Sequence, residues 1–225
     1  MTFKHSGKYG DIIASLPTIQ AMGGGILYLP ENGPESIGIF SGMYQLLKAQ
    51  SYIHDVVKSA DILKYGEGAE PVDIDLDLHR THPQRGKVNI VQRYFDVFGI
   101  NESVPHRWLT CSKWHGDYSL INVTQRFREG SRVSWRHIMK QMVQPCYFTG
   151  TDEEYGIFVR KYGQIERAVT HDVLGLAIWV NSAREIWCNQ SLVMILAAAL
   201  GKTRHVEFKP GKTNCRFYTQ NEYCL

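Results

Sequence analysis

Apolar positions along the chain fall into short blocks that switch between strand and helix spacing. Thr2–His5 reads as a brief strand. From Asp11 to Met22, residues Ile12, Ile13, Leu16, Ile19 and Met22 recur near helical spacing. Pro17 within that run is expected to kink the helix or delay its start. The glycines at 23, 24 and 25 stop it. Gly25–Leu29 is a second strand closed by Pro30, Ser41–Gln50 a helix and Val72–Leu78 a strand. Val88–Phe98 is an amphipathic helix ended by Gly99.

The second half repeats the rhythm. Strands are expected at Tyr118–Val123, Cys146–Thr149, Arg167–Thr170, Arg184–Cys188 and Arg204–Phe208. Helices are expected at Trp135–Met142, from the Gly150–Glu154 turn through Tyr162, at Asp172–Val180 and at Leu192–Leu200. Strand–helix alternation in both halves predicts an α/β fold of two Rossmann-like domains facing a central cleft. The polar stretch Asn101–Asp117 holds the boundary, which gives domains of residues 1–110 and 111–225. Parallel sheets bind ligands in the loops at the carboxyl ends of their strands.

Charge refines this picture. Residues 1–110 carry 10 Lys/Arg and 12 Asp/Glu, and residues 111–225 carry 15 and 10. The basic second half hints at an anionic ligand there, without the footprint of a strongly nucleic-acid-binding surface. The 5 cysteines form no CxxC pair, so reduced thiols in a cytoplasmic protein are expected. The longest apolar stretch, Leu192–Leu200, is far too short to span a bilayer. The amino terminus lacks a basic-then-apolar signal pattern.

The loop Ser6–Gly10 leaves the first strand, and Asp11 opens the helix after it. An acid there caps free amides and meets the positive end of the helix dipole. It also suits a general base that takes a proton from an acceptor hydroxyl, with Lys8 beside an anionic group. The stretch GDIIASLPTIQAMGGGILYL resembles the opening of the heptosyltransferase-type glycosyltransferases, glycosyltransferase family 9. In that family the matching aspartate is the proposed base, which the resemblance assigns to Asp11.

A second stretch, REIWCNQSLVMILAAALGK, ends a strand in Asn189, Gln190 and Ser191 before an alanine-rich helix. Such a turn either caps the helix or binds an anion on its free amides. It resembles the family segment that holds the diphosphate of a nucleotide sugar. Asn189, Ser191, Ala197–Ala199, Leu200 and Gly201 match, whereas Gln190, Leu192 and Ile195 replace an aspartate, a glycine and a histidine. Upstream, Arg126 and Arg128 follow a strand; if it continues they share a face and could grip one phosphate, or they line a solvated basic loop. The resemblance makes them donor contacts, and places Gly150 and Thr151 near the nucleotide.

Other signals weigh less. Asp73, Asp75 and Asp77 alternate, which reads as acids facing outward from a strand with Ile74, Leu76 and Leu78 inward, rather than as a metal motif. His79, Arg80 and His82 follow; Arg80 and His82 are candidate acceptor contacts, and a zinc pair lacks a third ligand nearby. The Gly-Lys-Thr runs at 201–203 and 211–213 lack the glycine of a phosphate loop. The resemblance thus implies a GT-B-like, metal-independent transferase with no cofactor. Its partners would be a nucleotide-sugar donor and a saccharide, small-molecule or modified-base acceptor. A nucleotide-sugar binder without chemistry is the alternative, and a related epimerase or hydrolase a third reading.

Overall fold

A computed structural model describes all residues of the chain except 33–37, 60–71, 85, 127, 129–132 and 213. They divide into two compact units, Met1–Thr110 and Cys111–Leu225.

Unit 1 holds four parallel strands, β1 (Thr2–Lys4), β2 (Gly25–Pro30), β3 (Ile53–Ser59) and β4 (Ile74–Asp75), ordered β3-β2-β1-β4. Helices α1 (Tyr9–Ala21), α2 (Ile39–Lys48) and α3 (Ile90–Phe98) connect and cover them. Strand β3 has no counterpart among the predicted elements. Helix α1 ends where Gly23 and Gly24 take φ of 88° and 81°, a conformation that favours residues without a Cβ. Their amides turn back onto the carbonyls of Gln20 and Ile19.

Pro17 does not delay α1; it lies inside a helix that runs unbroken from Tyr9 to Ala21. A proline cannot donate to the carbonyl four residues earlier, here that of Ile13. The indole of Trp108 donates to that carbonyl instead, at 2.9 Å. Trp108→Phe should leave this buried acceptor bare and cost about 1–3 kcal/mol. A chemical-denaturation midpoint equal to that of the unchanged protein would refute it.

The predicted strand 72–78 needs correction. Only Ile74–Asp75 pairs, and Leu76–Thr81 winds into a 3-10 helix. The Asp75 carboxylate accepts the Asp77 amide at 3.0 Å, which turns the chain out of strand geometry. The facing then inverts, with Asp77 buried and Leu78 39% exposed.

Unit 2 holds six parallel strands: β5 (Ser119–Asn122), β6 (Cys146–Phe148), β7 (Glu166–Arg167), β8 (Glu185–Asn189), β9 (Arg204–Glu207) and β10 (Glu222–Cys224). Their order is β10-β9-β8-β5-β6-β7. Counted from β5, that is the doubly wound order 3-2-1-4-5-6 of dinucleotide-binding sheets. The helices are α4 (Trp135–Ile138), α5 (Asp152–Tyr162), α6 (Val173–Ser182) and α7 (Leu192–Ala199). Ile121, Val123, Trp135, Phe148, Phe158 and Trp187 belong to one core cluster. Helix α4 is shorter than its apolar pattern suggests, β7 lies at the start of its predicted span, and β10 has no predicted counterpart. Strand β10 is held by a buried ion pair, Arg204 to Glu222 at 3.0 Å. The Glu222 carboxylate also accepts the amides of Phe217 and Tyr218.

Candidate functional site

In a doubly wound sheet the crevice opens where successive connections leave in opposite directions, outside the carboxyl ends of the strands. In unit 1 that point lies between β1 and β4. The residues after β1 are His5, Ser6 and Gly7, and Asp77 to Arg80 lie shortly after β4. Ser6 donates its amide and its hydroxyl to one Asp77 oxygen, at 3.0 and 2.6 Å. Arg80 pairs with the other, Nη2 to Oδ1 at 3.2 Å.

His5 is fully buried. Its Nδ1 accepts the Gly7 amide at 2.8 Å, so the ring proton sits on Nε2 and meets the Tyr94 hydroxyl at 2.6 Å. The Tyr94 hydroxyl donates in turn to the Asp11 carbonyl at 3.2 Å. Burial pulls His5 down to about 4 and His79 down to about 3, so both rings are neutral at pH 7. His79 stacks on Tyr94 and pairs its Nδ1 with the Leu76 carbonyl at 3.0 Å.

Helix α1 starts two residues earlier than expected, at Tyr9, so Asp11 stands in its first turn. Lys8 is the N-cap, and its carbonyl accepts the amides of Asp11 and Ile12. A methyl group placed on Gly7 would lie 3.0 Å from both Arg80 Nη2 and Asp11 Cβ. The candidate base and the candidate acceptor arginine therefore flank one glycine. His82 is engaged elsewhere: Nε2 lies 3.2 Å from Asp96 of α3, and Nδ1 accepts the Gln84 amide.

His5, Asp77 and His79 offer ligand atoms within 4.8 Å of one another, and all three are buried. The third ligand that the His79–His82 pair lacks in sequence thus has a counterpart in space, with His5 and Asp77 around His79. Arg80 already supplies a positive charge to the Asp77 carboxylate, and His5 Nδ1 is already an acceptor for Gly7.

In unit 2 the equivalent point lies between β5 and β8. Asn189, at the end of β8, is 1% exposed; it accepts the Thr124 amide at 3.0 Å and donates to the carbonyls of Thr124 and Arg126. It shapes the loop that carries Arg126. Strand β5 ends at Asn122, so Arg126 and Arg128 do not share a strand face. Arg128 turns inward, Nε at 3.2 Å from Glu207 and Nη1 at 2.8 Å from the Tyr162 hydroxyl. Thr151 is the N-cap of α5 in a reciprocal capping box with Glu154.

Two polar atoms at this edge lack partners among the described residues. Asn122 is 3% exposed, and its Oδ1 is unpaired; its amide nitrogen lies close to Gly150. Ser191 is the N-cap of α7, yet its side chain caps no amide and its buried Oγ is unpaired. Buried polar atoms are rarely left so unless a ligand or water completes them. Asn122, His5, Asp77 and Tyr94 are not part of the site expected from the sequence. His5 and Asn122 do carry a signal there, as polar residues that close apolar strands. Tyr94 carries no local signal.

No family model and no curated protein sequence matches the chain. Solved structures do. The E. coli heptosyltransferase WaaC with ADP-2-deoxy-2-fluoro heptose is similar with a TM-score of 0.65 and 12% identity, over 100% of this chain and 92% of that one. The glycosyl transferase family 9 protein of Veillonella parvula gives 0.67 and 12%, over 100% and 84%. The E. coli ADP-heptose lps heptosyltransferase II gives 0.65 and 10%, over 100% and 89%. The chain thus has a two-lobed GT-B fold resembling that of the glycosyltransferase family 9 heptosyltransferases.

Proposed function

We propose that the protein is a glycosyltransferase that moves a sugar from a nucleotide-diphosphate-sugar to an acceptor hydroxyl. The observation that carries this reading is the carboxyl edge of the unit 2 sheet. There a buried acceptor (Asn122 Oδ1), a buried hydroxyl (Ser191 Oγ) and the uncapped amides of α7 occur at the switch point of a dinucleotide-type sheet. Ligand hydroxyls would satisfy the first and phosphate oxygens the others. Lys8, Arg126, Arg128, Gly150, Thr151, Asn189 and Gln190 complete the donor assignment. Asn189, Gln190, Arg128 and Thr151 act through the loops and helix end they hold.

Asp11 is the general base in this reading: it takes the acceptor proton as the anomeric carbon–oxygen bond to the diphosphate breaks and the nucleoside diphosphate leaves. Arg80 and His82 are the acceptor-side assignments, of which Arg80 stands beside the Asp11 loop. The test is nucleoside diphosphate release from a panel of nucleotide sugars. Binding without release would favour the non-catalytic alternative, and release that ignores added acceptors would favour a hydrolase or epimerase.

The reaction runs without a metal in this reading, because arginine and helix amides can carry the leaving-group charge. The His5–Asp77–His79 group is then a hydrogen-bonded support for the Ser6–Gly7 turn. Prolonged chelation should leave both Tm and release rate unchanged. A Tm that falls with chelator and recovers with Zn²⁺ or Fe²⁺ would overturn this assignment.

A further inference from the structure

Gln190 does something its position in the sequence does not announce. Its Oε1 accepts the Lys209 amide at 2.9 Å, and its Nε2 donates to the Lys212 carbonyl at 3.1 Å. The two residues it grips are the ends of one tight turn, Lys209-Pro210-Gly211-Lys212, closed by the Lys212 amide on the Lys209 carbonyl at 3.0 Å. Proline second and glycine third, with Gly211 at φ 74°, is the signature of a type II turn. One side-chain amide therefore fastens a turn with a lysine at each end, and Gln190 immediately precedes the N-cap of α7.

The charge of this segment is one-sided. Residues 208–221 contain Lys209, Lys212 and Arg216 and no acid. The acids that bound the segment are both engaged: Glu207 faces Arg128 at 3.2 Å, and Glu222 faces Arg204 at 3.0 Å. Through Gln190, a basic turn is thus tied to the residue beside Ser191, whose Oγ is unpaired and whose helix amides have no side-chain cap.

We propose that the Lys209–Lys212 turn is a diphosphate-binding element and that Gln190 is its positioning residue. This rests on the donor reading above and adds to it a segment far along the chain. Lys212, which is exposed, supplies a charge to the phosphates; Gln190 sets where that charge stands. The ligand class is a nucleoside diphosphate, free or as the leaving half of a nucleotide sugar.

The test is calorimetric titration of the whole protein with UDP, ADP, GDP, CDP and dTDP, their parent nucleosides, and inorganic pyrophosphate, at low and high salt. Lys212→Glu should weaken diphosphate binding about tenfold or more and flatten its salt dependence, while Lys212→Arg retains it. Gln190→Leu should weaken diphosphates with little effect on any nucleoside affinity, a split that general unfolding would not produce. Diphosphate binding that survives Lys212→Glu and Gln190→Leu unchanged overturns the turn's role and leaves the donor reading standing. A protein that binds no diphosphate and no pyrophosphate overturns both.

Discussion

Asp11→Asn should lower acceptor-dependent release of nucleoside diphosphate by about 100- to 10,000-fold, the range that a positioned general base contributes. The amide keeps the shape of the side chain and loses its ability to take a proton. Little else should change. The helix start is built from backbone: the Lys8 carbonyl holds the Asp11 and Ile12 amides, and Tyr94 donates to the Asp11 carbonyl. Losing the negative charge in the first turn of α1 should cost no more than about 1 kcal/mol. Tm and donor affinity therefore stay close to those of the parent while kcat collapses. Retained kcat would show that Asp11 is only a first-turn acid. A Tm fallen by many degrees would show that the loss is structural.

Acid should weaken unit 1 already between about pH 6.5 and 5. His5 and His79 bind a proton near 6.5 when unfolded, and burial holds them near 4 and 3 in the fold. The folded form is therefore favoured by neutral rings, with that stability complete above about pH 6.5 and lost as pH falls from there toward 4. At pH 5 each ring contributes a loss of about 2 kcal/mol, so the pair removes about 4 kcal/mol. That is a large share of the 5–15 kcal/mol or so that holds a typical domain. His205 in unit 2 is also lowered by burial and acts in the same sense.

The carboxylates act later. Hydrogen bonds hold Asp55 and Asp73 below the usual range, and at Glu185 burial pushes upward but the hydrogen bonds outweigh it. Their contribution is present above the ordinary carboxylate range and is lost only as pH falls through it. Denaturant midpoints measured from pH 7 to 5 should therefore fall with the histidines. His79→Phe, which keeps a ring against Tyr94, should remove about half of the slope in unit 1. A flat profile would mean that the cluster opens to water.

The contrast between what the sequence discloses and what it hides follows the range of the interactions. The body of α1, the Gly23–Gly24 stop and the α7 turn are local chemistry, and the chain shows them in consecutive residues. The 72–78 region misleads because its turning point depends partly on Asp77 reaching Ser6, a contact 71 residues away in sequence. The alternation of acids is real, but Asp73 is exposed and Asp75 half-buried while Asp77 is buried. His5 shows in sequence only as a polar residue closing a strand; its partner stays hidden, because nothing beside it reveals Tyr94, 89 residues on. Gln190 reads as a ligand contact because its partner turn lies beyond a helix and a strand. Pro-Gly between two lysines is the visible half of that pair. Arg128 reads by spacing as a phosphate ligand if β5 continues, whereas Glu207 and Tyr162 draw it inward.

Trp108 has one more consequence, for dissecting the chain. Its indole fills the gap that Pro17 leaves in α1, its carbonyl accepts the Tyr52 hydroxyl, and Thr110 exchanges two hydrogen bonds with Gln50. The stretch that reads as a connector is therefore a clasp that fastens the first unit to itself. A truncation that ends after Gly99 removes the clasp and bares an orphaned carbonyl, whereas one that ends after Thr110 keeps the piece self-sealed.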